Sequence, residues 1–323
     1  MAASSTCLER VALIACCAWQ GSCNPLGDGT GQLDDPAAGE GWGAPQVLVS
    51  GADRPVALGQ DALSLYWGDD TGFVRFVSKE GGVVTSVYED AGATVDVVVD
   101  DGIIFWLEQG YGRLQSYSLV GEQAYTLAVG LQDPQRLAID DTHLYWIDAG
   151  TTIMRIPRGG GYAEYFVLSG RDIRDLALDS THLYYVDRDR AGVFGVPLYG
   201  GMEVVLATGL SDLSEVAADG TRVYWTTANG IARLDVTEPT APTETVANSL
   251  SAPRWLTAAG GHLYWTSAEE GTVMRVSKKG GSPETIATHQ DEPQKVVVDT
   301  TAVYWVNHGR REGEGSLRKS ERY

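Results

Sequence analysis

Cysteine is missing from nearly the whole chain. The four present, Cys7, Cys16, Cys17 and Cys23, all precede residue 24 of a 323-residue sequence. Whatever folds beyond them does so without disulfides or thiolate-bound metal. Positive charge is scarce too, with 24 Lys and Arg against 43 Asp and Glu and a formal charge of −19. A nucleic-acid surface needs a basic stripe to neutralise phosphate, and anionic lipid would repel such a chain. No apolar run approaches the roughly 18 residues of a membrane-spanning helix. Histidine numbers only five, with no pair at metal-ligand spacing. No Gly-x-Ser-x-Gly elbow, phosphate-binding loop or dinucleotide fingerprint occurs.

What the chain has in quantity is glycine, tyrosine and tryptophan: 39, 15 and 9 residues. They recur in register. Leu65-Tyr66-Trp67, Ile104-Phe105-Trp106, Leu144-Tyr145-Trp146, Leu183-Tyr184-Tyr185, Val223-Tyr224-Trp225, Leu263-Tyr264-Trp265 and Val303-Tyr304-Trp305 have third positions 39, 40, 39, 40, 40 and 40 residues apart. A fixed period of this length marks a stacked-repeat architecture.

Each unit divides into four short runs. The first is small and apolar and often ends in Asp, as in Leu137-Ala138-Ile139-Asp140. The second is the aromatic triplet. The third alternates around an Arg, as in Val273-Met274-Arg275-Val276, and the fourth resembles Glu284-Thr285-Ile286-Ala287. Such runs bounded by Gly and Asp read as strands. Glycine pairs such as Gly200-Gly201 suit tight hairpins, and Asp-x-Thr-His at 140–143 and 179–182 suits an Asp-capped turn. The recurring Arg75, Arg155, Arg233, Arg275 and Arg318 are expected to pair with fourth-strand acids such as Glu284.

The aromatic strand is apolar at every position, so both faces of each four-stranded sheet must be covered. Fanning the sheets around an axis does that. The predicted fold is therefore all-β, a seven-bladed β-propeller of four-stranded blades. The repeat opens with a fourth-type strand at Gln46 to Ser50 and closes with a third-type strand at Leu317 to Ser320, so the N-terminal strand completes the last blade and closes the ring.

Ahead of the repeat, residues 1–23 read as an export signal in which Leu13-Ile14-Ala15-Cys16 matches a bacterial lipobox, with Cys16 as the lipidation site. Residues 24–45 have the Gly, Asp, Pro and Ala composition of a flexible linker, and 46–323 form the propeller. The expected location is the bacterial cell envelope, periplasmic or on the outer surface, with membrane contact only through the anchor.

The aromatic pair followed by Asp in Trp146-Ile147-Asp148 and Trp67-Gly68-Asp69 resembles the YWTD repeat of low-density-lipoprotein-receptor type propellers. The pattern over residues 46 to 320 also resembles bacterial lipoprotein propellers of the TolB-like and NHL-like kind. YWTD domains usually have six blades, and seven units are counted here. Thr227 and Asn307 replace the Asp in other units, so no binding face carries over whole from the resemblance.

One ring of positions departs from the repeat. Ten residues before each third aromatic position stand Ala57, Asp96, Arg136, Asp175, Glu215, Trp255 and Lys295. Positions that serve only the fold should look alike in every unit, whereas a site needs different residues in different units. Asp96, Arg136, Asp175, Glu215, Trp255 and Lys295 are accordingly the candidate ligand-binding residues at the mouth of the channel, extended by Arg174, Arg254 and Gln294. The same-parity positions Gly59, Ala138, Ala177 and Ala217 are small, as a narrow channel requires. The insertion at 307–316 is a second, weaker candidate face. No catalytic residue, metal ligand or cofactor is assigned. The primary expectation is a non-catalytic module for an unknown protein, peptide or glycan. The competing one is a metal-dependent lactonase-like hydrolase using Asp96, Asp175 and Glu215.

Overall fold

The computed structural model describes residues 41–168, 171–238, 240 and 242–322. The export segment, Cys16 and most of the expected linker lie outside them. Seven four-stranded antiparallel sheets account for the strands among the described residues. Blades 1 to 6 are the consecutive strands of 57–88, 94–129, 135–167, 173–208, 216–248 and 254–287. Blade 7 joins Pro293–Val298, Ala302–Asn307 and Gly315–Glu321 to the N-terminal strand Gln46–Ala52, which pairs antiparallel with Gly315–Glu321. First strands touch first strands around the full circle, including blade 7 against blade 1. The ring is closed by the strand expected to close it.

Seven hydrophobic clusters fill the seven gaps between blades. Tyr66 meets Trp106, Phe105 meets Trp146, Tyr145 meets Tyr185, Tyr184 meets Trp225, Tyr224 meets Trp265, Tyr264 meets Trp305 and Tyr304 meets Trp67, each pair within one cluster. Adjacent residues of a strand point to opposite faces. The Tyr of one blade therefore covers the Trp of the next. Six of the tryptophans are fully buried, and each removes roughly 5 kcal/mol worth of apolar surface from water before entropy is counted. In blade 4, where Tyr185 replaces Trp, its hydroxyl donates to Glu203, which Arg190 also holds.

The Asp-capped turns form as expected. Asp140 Oδ1 accepts the amides of Thr142 at 2.6 Å and His143 at 2.7 Å, while Oδ2 accepts the Tyr145 hydroxyl at 2.8 Å. Asp61, Asp179 and Asp219 repeat the arrangement with Tyr66, Tyr184 and Tyr224. One carboxylate thus ties the first turn to the aromatic strand. Neighbouring blades reinforce it, since Lys278 reaches Asp219 at 3.0 Å and Lys79 reaches Asp299 at 2.8 Å.

Two expectations change. Arg155, Arg233 and Arg275 do pair with Glu164, Glu244 and Glu284, but Arg75 and Arg318 are not their equivalents. The first three stand opposite Tyr145, Tyr224 and Tyr264, whereas Arg75 and Arg318 stand opposite Trp67 and Trp305. A one-residue offset moves a side chain to the other face, so Arg75 pairs with Asp69 instead. Ordered contacts also begin before residue 46: Trp42 bridges Arg322, and the Gly43 amide donates to Glu321 O at 2.9 Å. The Trp42 ring lies against the guanidinium groups of Arg275 and Arg322, at 4.9 and 5.4 Å.

The capped turns make the fold acid-sensitive. Burial raises the pKa of Asp219 and Asp299, but Lys278 or Lys79 together with the turn donors outweigh it and hold both at about 2. Against roughly 3.9 in an unfolded chain, this stabilisation is complete above about pH 4 and drains as the pH falls toward 2. Asp219→Asn is expected to melt lower than wild type at pH 7 and to lose less further stability between pH 4 and 2.5, measured by thermal circular dichroism.

Candidate functional site at the channel mouth

Each first strand starts on one face of the ring and runs inward from it, so the residues that open these strands surround one end of the channel. Strand pairing is interrupted there by bulges. The register shifts between Thr94 and Asp96, Gln135 and Leu137, Ile173 and Asp175, Arg254 and Thr257, and Pro293 and Val296. Bulges re-aim side chains. Arg136 and Trp255 take left-handed backbone conformations, with φ of 51° and 53°, which costs about 1 kcal/mol or more for residues other than glycine.

The six candidate residues all line a single cavity of about 240 Å3. Leu137, Leu176 and Ala177 are among the apolar residues beneath them. Ala57, the seventh position of the ring, is buried and outside the lining.

Two bridges cross the mouth. Arg136 of blade 3 reaches Glu215 of blade 5, with Nη2 3.1 and 3.2 Å from its two carboxylate oxygens, and Nε is 3.3 Å from Asp175 Oδ1. Its guanidinium also lies 4.1 Å from the centre of the Trp255 ring of blade 6. The Trp255 indole N–H donates to Gln294 at 2.9 Å, which fixes the ring. The second bridge joins Lys295 of blade 7 to Asp96 of blade 2.

The acids also stitch blades together. Asp96 Oδ2 accepts the Leu137 amide and Asp175 Oδ2 the Val216 amide, both at 2.9 Å and both from the following blade. Glu215 is reached from the rim by Arg254 at 3.9 Å, and Arg254 also donates to Ser214. Of the flanking candidates, Arg254 and Gln294 thus belong to the mouth, whereas Arg174 turns to Asp172 at 2.7 Å. Ser214, which lacks charge, and the backbone amides, which no side-chain pattern encodes, were not legible in the sequence.

Three carboxylates face two cations at the heart of the cavity. Asp175 bears the imbalance. Burial raises its pKa, Arg136 opposes and Glu215 adds to the rise, which leaves it pushed up to about 7. Burial would lower Arg136, but Glu215, Asp175 and Asp96 keep it firmly charged. Among the described residues no group of three His, Cys, Asp or Glu is arranged to hold a metal ion. Arg136 occupies the space between Asp175 and Glu215 where such an ion would sit. The insertion at 307–316 is tied down locally, with the His308 amide donating to Glu292 O at 3.1 Å and Arg310 3.4 Å from Asp291.

Solved structures share this architecture. A streptogramin B lyase matches with a TM-score of 0.73 at 11% identity, over 87% of this chain and 98% of that one. The likeness is one of fold. The WD40 β-propeller domain of Doa1 matches at 0.69 and 15% identity, over 87% and 97%, and a nidogen/laminin complex at 0.52 and 22%, over 62% and 81%. No protein-family profile matches the sequence, and no curated protein does. Such distant likeness establishes the propeller and leaves its site to be read from its own residues.

The surplus carboxylate gives a test. With a folded pKa of about 7 against roughly 3.9 unfolded, Asp175 favours the fold when protonated, and that contribution is lost as the pH rises through 7. Asp175→Asn is expected to raise the melting temperature at pH 8 and to leave it nearly unchanged at pH 4. An equal shift at both pH values would show that Asp175 is not the titrating group.

Proposed function

We propose that this propeller is an exported, lipid-anchored, non-catalytic module whose channel mouth binds a protein, peptide or glycan. The observation that carries the reading is the convergence of Asp96, Arg136, Asp175, Glu215, Trp255 and Lys295 on one cavity. These are the positions at which the blades differ, and five ion-pairing side chains with an aromatic ring are more than blade closure needs. Strained backbone at Arg136 and Trp255 supports it, because left-handed residues persist where a site demands a particular aim. The Gly and Asp composition of residues 24–45 and the lipobox-like run ending at Cys16 support tethering.

A metal-dependent lactonase-like hydrolase is the second reading. The streptogramin B lyase likeness keeps an enzyme reading open, since a propeller of this shape carries an enzyme, though a lyase and not a hydrolase, in that protein. The donor set weighs against it: Asp96 is already held by Lys295, and Asp175 and Glu215 by Arg136.

Reversing the charge of Arg136 or Glu215 would place like charges in contact inside the cavity, so the cleaner probe is Trp255→Ala. It removes the ring on which Arg136 rests, a contact worth roughly 0.5–2 kcal/mol. Immobilised wild-type chain is expected to capture a partner from cell-envelope extract that Trp255→Ala loses, with both proteins folded by circular dichroism. Equal capture by the two would retire the channel-mouth reading. Stoichiometric calcium or zinc bound by wild type and lost in Asp175→Asn would move the assignment to the hydrolase. Metabolic labelling with fatty acid should mark wild type and not Cys16→Ser, and an unlabelled wild type would remove the anchor.

A further inference from the structure

The face opposite the channel mouth carries apolar side chains that the fold does not use. Third strands run away from the mouth, so the hairpins between third and fourth strands all lie on that opposite face. At their tips Val83 of blade 1, Tyr162 of blade 3, and Tyr199 and Met202 of blade 4 are 86%, 95%, 93% and 88% exposed. Val120 of blade 2 is exposed as well. Among the described residues, the tips of blades 5 and 6 present no exposed large hydrophobic residue and instead carry Glu238, Lys279 and Ser282. The apolar tips therefore form an arc on consecutive blades, not a scatter around the ring.

Charge is cancelled where the arc is most aromatic. Glu164 beside the Tyr162 tip pairs with Arg155 at 2.6 Å, Glu203 beside Met202 is held by Arg190, and Asp100 meets Arg158 at 2.5 Å. Asp101 and Asp141 add further exposed acids to this face, so anionic lipid is disfavoured and a zwitterionic surface is not. The chain also enters the propeller here. Trp42 and Gly43 pair with Arg322 and Glu321, at the end of a third strand, in the place where other blades have their hairpin tip. About 26 residues separate Cys16 from Trp42 and span at most ~90 Å fully extended, ample for a tether.

We infer that Tyr162, Tyr199 and Met202 rest in the interfacial layer of a zwitterionic phospholipid bilayer, orienting the propeller with its channel mouth toward solvent. The inference deepens the anchored reading and adds to it an orientation. Tyrosine suits this role because its ring is apolar and its hydroxyl is wet.

The full chain carrying Cys16→Ser, which cannot be acylated at that position, is mixed with phosphatidylcholine vesicles and floated on a density gradient. Against it is run the same chain with Tyr162→Ser, Tyr199→Ser and Met202→Ser. The unsubstituted tips are expected to partition roughly tenfold or more better, with identical melting curves because the three side chains are exposed. Equal flotation of the two chains overturns the inference, as does failure of both to float. A dimer of the Cys16→Ser chain in sedimentation, dispersed by the tip substitutions, overturns it in favour of self-association. The fatty-acid label and the Trp255→Ala capture test stand apart from these outcomes, so anchoring and ligand binding can fail or hold separately from orientation.

Discussion

Adjacent aromatic residues on one strand cannot face the same way, and this constraint holds the protein together. In each blade the aromatic pair sends one ring forward and one ring back, so five of the gaps between blades receive a Tyr from one side and a Trp from the other, while Phe105 meets Trp146 and Tyr145 meets Tyr185 in the remaining two. Neither face can be left open without exposing a large ring to water. Seven sheets with two oily faces each have no free end to offer solvent, and the circle follows. The strand Gln46–Ala52 on the edge of blade 7 then joins the two ends of the propeller without a disulfide.

Polar groups are arranged around that aromatic ring of contacts and depend on it. The Asp-capped turns at 61, 140, 179 and 219 reach the hydroxyl of the same Tyr that packs against the next blade. Lysines from following blades complete the arrangement at Asp219 and Asp299. At the channel mouth the same logic is bent to another end. The blades there carry unlike residues, and Arg136–Glu215 and Lys295–Asp96 cross the opening to join blades that are not neighbours.

The two faces divide the work. One gathers charge and a single tryptophan around an open cavity, while the other presents apolar hairpin tips and the point where the N-terminal chain enters. An antiparallel blade guarantees this separation, because odd-numbered turns and even-numbered turns fall at opposite ends of the sheet.

The blade count, the four-strand unit, the closure and the six mouth residues were legible in the sequence, because each rests on period and parity, which a linear chain records directly. Arg75 and Arg318 were misread because a one-residue offset leaves composition unchanged and reverses the face. The pairing of Trp42 was hidden by a linker-like neighbourhood, since its contacts come from the far end of the chain. Sequence alone thus determined how many blades there are and which positions look inward. Only the tertiary structure decided that Arg136 spans to Glu215 and Trp255, that Asp175 is left with the surplus charge, and that the exposed tips share a face with the chain's entry, because those facts depend on distances across the ring between residues far apart in sequence.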